Sequence, residues 1–201
     1  MEPTSKNDRG LTANLYEGVG WIRTQNGVFN LDEPEFLFDD IAHALSQIPR
    51  YNGHTLFPIS VAEHSVNVAR ICRMLYSDNA LCREGLMHDA TEAYLSDVPA
   101  PFKQFLPDWS AIDNKLEYQL RQHFDLGTKT KECKKADWIA LFIEAYFLVP
   151  GAGEDFSDPL NLRPQALEMM WEEGGILQPQ NAGWESDKRL FYTVGKLYGL
   201  A

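Results

Sequence analysis

Apolar residues recur at helical spacing along most of this chain and alternate like a strand only near its start. Residues 21–31, Trp-Ile-Arg-Thr-Gln-Asn-Gly-Val-Phe-Asn-Leu, read as two short strands around an Asn-Gly pair, which suits the positive φ values of a type I′ hairpin turn. Asp39 or Asp40 then caps a helix with Ile41, Ala44, Leu45 and Ile48 on one face, ended by Pro49. After a loop over residues 50–58, Ser60-Val61-Ala62-Glu63 forms a capping box. The helix it opens carries Val61, Ser65, Val68, Ala69, Cys72 and Leu75 as a stripe. Asn79 starts the next helix, which runs through His88 and Asp89 to about Tyr94.

Three prolines between Ser96 and Pro107 exclude a regular helix there. Ser110 caps a helix ending near Phe124, and a long apolar-periodic stretch over residues 131–149 is closed by Pro150-Gly151. Two shorter helices follow near residues 164–173 and 186–200. The pattern predicts an all-α domain with a small β-hairpin at its front. We divide it into a flexible N-terminus (1–20), a core with the hairpin (21–150) and a C-terminal helical extension (151–201). The aromatic residues of that extension predict that it packs.

Charge narrows the ligands. The 201 residues carry 18 Lys plus Arg against 29 Asp plus Glu, a net charge of −11. Such a surface repels phosphate backbones, so neither polynucleotide nor anionic membrane is an expected partner. A phosphorylated ligand would need a local positive feature, and a divalent metal is one. No run of about 18 apolar residues predicts a membrane span, and the polar first ten residues lack a signal-peptide core. Cys72, Cys82 and Cys133 lack metal-type spacing and read as reduced core thiols, which points to the cytoplasm.

His88-Asp89 is the sharpest local feature. Two polar, metal-type ligands stand among Leu86, Met87, Ala90 and Ala93. Neighbours on a helix diverge by about 100°, so both reach one ion only at a seam between helices, with partners from elsewhere. His64, beside Val61 and Val68, and Asp137, between Ala136 and Trp138, are the candidates. Imidazoles with carboxylates suit zinc, iron, cobalt, nickel or manganese, and two carboxylates also admit magnesium. Four such ligands on a six-coordinate ion leave room for water and a substrate oxygen, the requirement for metal-assisted hydrolysis. Glu92, one turn after Asp89, is spaced to act there as general acid or base, making Asp89 and Glu92 the catalytic carboxylates. Each residue alone has a plainer reading: a core histidine, or an Asp137 paired with Lys134 one turn away. The joint pattern carries the argument.

That pattern resembles the HD-domain metal-dependent phosphohydrolases. His64, His88-Asp89 and Asp137 match the family's ligand order, each on a separate helical element. Residues 60–66, Ser-Val-Ala-Glu-His-Ser-Val, resemble its first-histidine helix. His88-Asp89-Ala90-Thr91-Glu92 and the following Ser96-Asp97-Val98-Pro99 resemble its bacterial 5′-deoxynucleotidase branch, and Lys134-Lys135-Ala136-Asp137 resembles the stretch around its last ligand. The likeness covers roughly residues 38–148.

The resemblance implies an HD-type helical bundle, a divalent ion (Zn, Co, Mn or Mg) and a homo-oligomer. It implies phosphate contact from Arg50 and base or sugar stacking from Tyr51, which stands where the bacterial enzymes have Trp. It also implies a 3′-hydroxyl acceptor in Asp97. Lys103 and Lys134, with Lys135, would serve a polyphosphate, and His54 would line the same pocket. The ribbon together with residues 38–46 and 50–55 looks like the phage-type members, some of which convert dATP to deoxyadenosine and triphosphate. That reaction, in a host cytoplasm if phage-encoded, is the leading expectation, and a 5′-deoxynucleotidase acting on monophosphates is the alternative. A di-iron oxygenase would need further histidines near the His-Asp pair. A non-catalytic nucleotide-binding module would not need all four ligands together with Glu92.

Overall fold

Val61 to Ala69 are buried without interruption. The helix that the sequence marks with one apolar stripe is therefore surrounded on all sides over its first half. A computed structural model describes residues 20–151, 158, 160–172 and 180–201, and the chain divides into two compact units, Met1–Glu35 and Phe36–Ala201. The described part of the first unit is an antiparallel hairpin of β1 (Trp21–Arg23) and β2 (Val28–Asn30), paired Trp21 to Asn30, Ile22 to Phe29 and Arg23 to Val28. Its turn differs from expectation. Neither Asn26 nor Gly27 takes a positive φ. A Thr24–Gly27 loop closes instead through Thr24 N–H to the Gly27 carbonyl (3.0 Å) and Gly27 N–H to Thr24 Oγ1 (3.1 Å). The threonine hydroxyl supplies the closure that left-handed residues supply in a type I′ turn. The expected frayed N-terminal end falls outside the described residues.

Among the described residues of the second unit, every regular element is a helix, beside one isolated bridge between Pro49 and Ser60. Its described helices are α1 (Phe38–Leu45), α2 (Val61–Tyr76), α3 (Asn79–Met87), α4 (Glu92–Leu95), α5 (Ala100–Lys103), α6 (Pro107–His123), α7 (Lys131–Leu148), α8 (Arg163–Glu172) and α9 (Trp184–Leu197). Central α2 packs on α3, α7, α9 and α1. Ile71 and Cys72 of α2 meet Ile139 and Ile143 of α7 and Ala166 of α8 in one apolar cluster. All three cysteines are buried and free.

Several element ends shift from the sequence reading. Helix α1 is preceded by Leu37 with no side-chain cap, while Asp39 and Asp40 occupy its first turn, where carboxylates favour the helix dipole. It stops at Leu45, before Pro49, because Ser46 Oγ takes the His43 carbonyl (2.8 Å) and Gln47 N–H takes that of Ala44 (3.0 Å). Ser60 Oγ accepts the Glu63 N–H (3.1 Å) as expected, but the Glu63 carboxylate accepts from the Gln180 N–H rather than reaching back. The Ser60 hydroxyl donates to Asp187 of α9 (2.7 Å). Helix α3 starts at Asn79 as expected, with Asp78 as its cap, whereas α6 begins at Pro107, ahead of the expected cap Ser110. The proline-rich stretch holds one isolated turn of helix, α5.

The break after α3 matters most. The expected single helix through His88 and Asp89 ends at Met87, and His88–Thr91 form a tight turn before α4. His88 Nδ1 takes the Gly85 carbonyl (2.8 Å), the acceptor that a continuing α-helix would offer to the Asp89 N–H. The imidazole competes with the backbone and wins, which frees the dipeptide to aim at α2 and α7.

Helix α9 supplies Phe191, which is fully buried and stacks on Phe38 with ring centroids 5.3 Å apart. Gly195 permits it, since a Cβ at that position would lie 2.2 Å from Phe38 Cζ and 2.6 Å from Cε1. Gly195→Ala must push Phe38 off Phe191. We expect a loss of about 1–3 kcal/mol, read as a lower urea midpoint at unchanged slope; an unchanged midpoint would show that Phe38 finds equal packing elsewhere.

Candidate metal centre

Three helices deliver one cluster. His64 lies on α2, Asp137 on α7, and His88-Asp89 in the turn after α3, and α2 packs directly on both other helices. Asp89 Oδ2 stands 3.0 Å from His88 Nε2 and 3.8 Å from His64 Nε2. Asp137 Oδ1 stands 3.2 Å from His64 Nε2 and 3.8 Å from His88 Nε2. Both Nε2 atoms are buried and face these carboxylate oxygens without meeting hydrogen-bond geometry. Their other nitrogens are engaged: His64 Nδ1 with Glu144 Oε1 at 2.7 Å and His88 Nδ1 with the Gly85 carbonyl at 2.8 Å. A carbonyl only accepts, so His88 Nδ1 carries hydrogen, and the neutral ring presents a lone pair at Nε2 to the cluster. His64, His88 and Asp137 form a buried group that could hold a metal ion.

Electrostatics point the same way. Burial opposes charge on His88, yet Asp89 and Asp137 outweigh it and push the imidazole up to about 10. His64 is raised likewise, by Glu144 and Asp137 against burial and Arg50. Against burial, His88 and His64 hold Asp89 low, and Asp137 is held well below the carboxylate range. The cluster demands positive charge at its middle, which protons or a bound cation can supply.

The other expected residues divide into those near this centre and those away from it. Arg50, 12% exposed at its side chain, donates Nε to Glu144 Oε2 (3.0 Å) and brings Nη1 to 3.8 Å from Asp89 Oδ2. The backbone after it is left-handed at Tyr51 (φ 54°) and Asn52 (φ 50°), a conformation costing about 1 kcal/mol or more per non-glycine residue. Tyr51 lays its ring 5.4 Å from the Arg50 guanidinium and does not reach the cavity wall. His54 is exposed in the same loop, away from the cluster. Glu92, Lys103 and Lys134 line a cavity of about 370 Å³ together with His88, Asp89 and Asp137. Lys134 Nζ pairs with Asp137 Oδ2 at 2.7 Å. Asp97 does not line this cavity; burial raises its carboxyl and so does Asp89, while Arg50 and Lys103 pull it down.

Glu144 is the residue that sequence reasoning missed. It is 1% exposed and lies two helical turns after Asp137 on the same face of α7. A lone carboxylate within Ile139–Leu148, otherwise apolar, was the available signal. The far wall was missed too. There Glu84 accepts from the N–H and hydroxyl of Thr130 (2.9 and 2.7 Å), Arg121 pairs with Glu84, and Lys129 pairs with Glu117.

No protein-family model matches the chain. The uncharacterized protein YfdR of Escherichia coli (strain K12) is 37% identical over 131 residues, 63% of this chain and 71% of YfdR. The chain belongs to the YfdR family. Among the described residues of this YfdR-family chain, no helix is long and apolar enough to cross a membrane.

Proposed function

We propose that the cluster holds a divalent cation and that the cavity hydrolyses deoxynucleotides at the 5′ phosphate, dATP to deoxyadenosine and triphosphate being the leading reaction. One observation carries this reading. His64, His88 and Asp137 bring ligand atoms within 4.8 Å of one another, Asp89 Oδ2 stands beside both imidazoles, and each imidazole turns a buried Nε2 toward these carboxylates while its Nδ1 is anchored. Two buried imidazole nitrogens set among carboxylate oxygens, with their other nitrogens anchored, make a donor set oriented for a cation. The donor set of two imidazoles and two carboxylates fits Zn, Co, Mn or Mg. A cation held by His64, His88, Asp89 and Asp137 would supply Lewis acidity toward a phosphoryl oxygen and lower the pKa of water.

The remaining roles fall to the chain's own side chains. Arg50 offers Nη donors to a phosphate beside Asp89. Lys103 and Lys134, on the cavity wall, neutralise further phosphate oxygens. Glu92 exchanges a proton with the reacting oxygens, and Asp97 accepts from a 3′-hydroxyl. An oxygenase reading finds less support. His43 hydrogen-bonds Gln47 and meets Trp184, His123 meets Phe36 and Phe124 edge to face, and His54 is exposed, so none adds to the cluster.

Product analysis tests the reaction. The metal-stripped protein is given dATP or dAMP with Mg²⁺, Mn²⁺, Co²⁺ or Zn²⁺. Deoxyadenosine plus triphosphate from dATP is expected; phosphate from dAMP with dATP untouched would move the assignment to a 5′-deoxynucleotidase.

A further inference from the structure

Arg50 poses an electrostatic problem if the cluster binds a metal. Its guanidinium lies 3.8 Å from Asp89 Oδ2, the same oxygen that stands 3.0 Å from His88 Nε2. A fixed cation and a bound cation would therefore share one carboxylate, in a site shielded from screening by solvent. Only a compensating anion allows both to stay. Glu144 is that anion, contacting the arginine through one oxygen (Nε to Oε2, 3.0 Å) and the histidine through the other (Nδ1 to Oε1, 2.7 Å). It is 1% exposed, so solvent does not share the work. Three carboxylates, Asp89, Asp137 and Glu144, outnumber the buried guanidinium and the largely exposed Lys134 that pairs with Asp137, so the cluster keeps a net negative charge for a cation to balance.

We propose that Glu144 is a positioning residue that joins metal binding to phosphate binding: it fixes the Nδ1–H form of His64 and, in the same contact, neutralises and orients Arg50. The inference rests on the metal reading of the cluster. One carboxylate holds the imidazole so that Nε2 faces inward and holds the arginine so that its Nη groups remain available to an anion. A glutamine at 144 keeps an acceptor for His64 but cannot neutralise Arg50. The arginine charge then opposes the metal directly. It follows that deleting Arg50 should help a metal bind when Glu144 is neutral, although deleting a buried contact partner ordinarily only weakens a site.

The test is Zn²⁺ and Co²⁺ titration calorimetry on the metal-stripped full chain, with inorganic phosphate as the anion probe on the metal-loaded chain. Glu144→Gln is expected to weaken metal binding about 10- to 100-fold. Arg50→Met alone should bind metal at least as tightly as the natural chain while losing phosphate affinity. The double variant should bind metal at least about threefold more tightly than Glu144→Gln, the sign of direct coupling. That recovery separates a charge-compensating role from a merely structural one. A double variant no tighter than Glu144→Gln would overturn the inference, as would weaker metal binding by Arg50→Met, a measurement that stands even if Glu144→Gln fails to fold. Saturable metal binding by the natural chain that is lost in His64→Ala keeps the metal reading intact whatever Glu144 does. No saturable binding by the natural chain overturns both.

Discussion

Asp137→Asn is expected to release the metal and to lower kcat/KM by about a thousandfold or more. The substitution is nearly isosteric and leaves α7 its helical residue count, so the effect isolates charge. Asp137 supplies the oxygen 3.2 Å from His64 Nε2 and 3.8 Å from His88 Nε2, and its charge helps hold both imidazoles toward the cationic state. Removing it leaves Asp89 as the sole carboxylate of the ligand set. A bound cation's stabilisation of phosphoryl-transfer charge amounts to several kcal/mol, and about 4 kcal/mol is a thousandfold at about 1.4 kcal/mol per decade. Metal content by elemental analysis and turnover on dATP are the paired measurements. Chelation followed by metal should restore the natural chain and not the variant. Retained metal, or turnover within tenfold of the natural chain, would remove Asp137 from the ligand set.

The side chain of Lys134 guards against a misreading of that experiment. It pairs with Asp137 Oδ2 at 2.7 Å while its own side chain is 65% exposed, so losing this partner strands a solvated ammonium at a small cost. A large fall in activity with a normal unfolding transition therefore reports on the centre and not on the fold.

How far the sequence revealed this centre depended on whether each signal was local. His64, His88, Asp89 and Asp137 were legible because each is a polar, ligand-type side chain in an apolar periodic setting, and their order along the chain matched a family pattern. The helix break was not legible. Propensity allows a helix from Asn79 to Tyr94, whereas the structure ends it at Met87, where the ring of His88 takes the Gly85 carbonyl. Central α2 shows a similar limit. Its periodicity announced one buried stripe, whereas α1, α3, α7 and α9 together bury Val61 to Ala69 on every side, a tertiary fact that no local pattern contains. Glu144 carried the same local signal, a carboxylate in an apolar run, but its role depends on partners 80 and 94 residues away. The far wall of the cavity likewise depends on Glu84 of α3 meeting Thr130 at the cap of α7. At Tyr51, the sequence placed an aromatic ring beside Arg50 and the structure keeps it there, over the guanidinium rather than on the cavity wall.

Glu92→Gln should separate chemistry from metal binding. Glu92 opens the single turn of α4, lines the cavity and has its side chain 8% exposed, with Oε2 lacking any hydrogen-bond partner. Its nearest cation is Lys103 Nζ, at 4.0 Å. Burial, then the charges of Asp89 and Asp97, push the carboxyl up to about 10. The site thus favours the protonated form of this carboxyl. A protonated carboxyl beside a phosphoester can donate to the departing 5′-oxygen, and general acid–base catalysis of this kind contributes about 10²–10⁴-fold. Glutamine preserves the volume but cannot give up a proton in this way. We expect kcat to fall by that factor, with metal stoichiometry and substrate KM close to those of the natural chain, because Glu92 is neither a ligand nor a phosphate contact. The outcome is read against Asp137→Asn, which loses metal and rate together. Should Glu92→Gln lose both as well, Glu92 belongs with the ligands; should it lose neither, the proton is handled elsewhere.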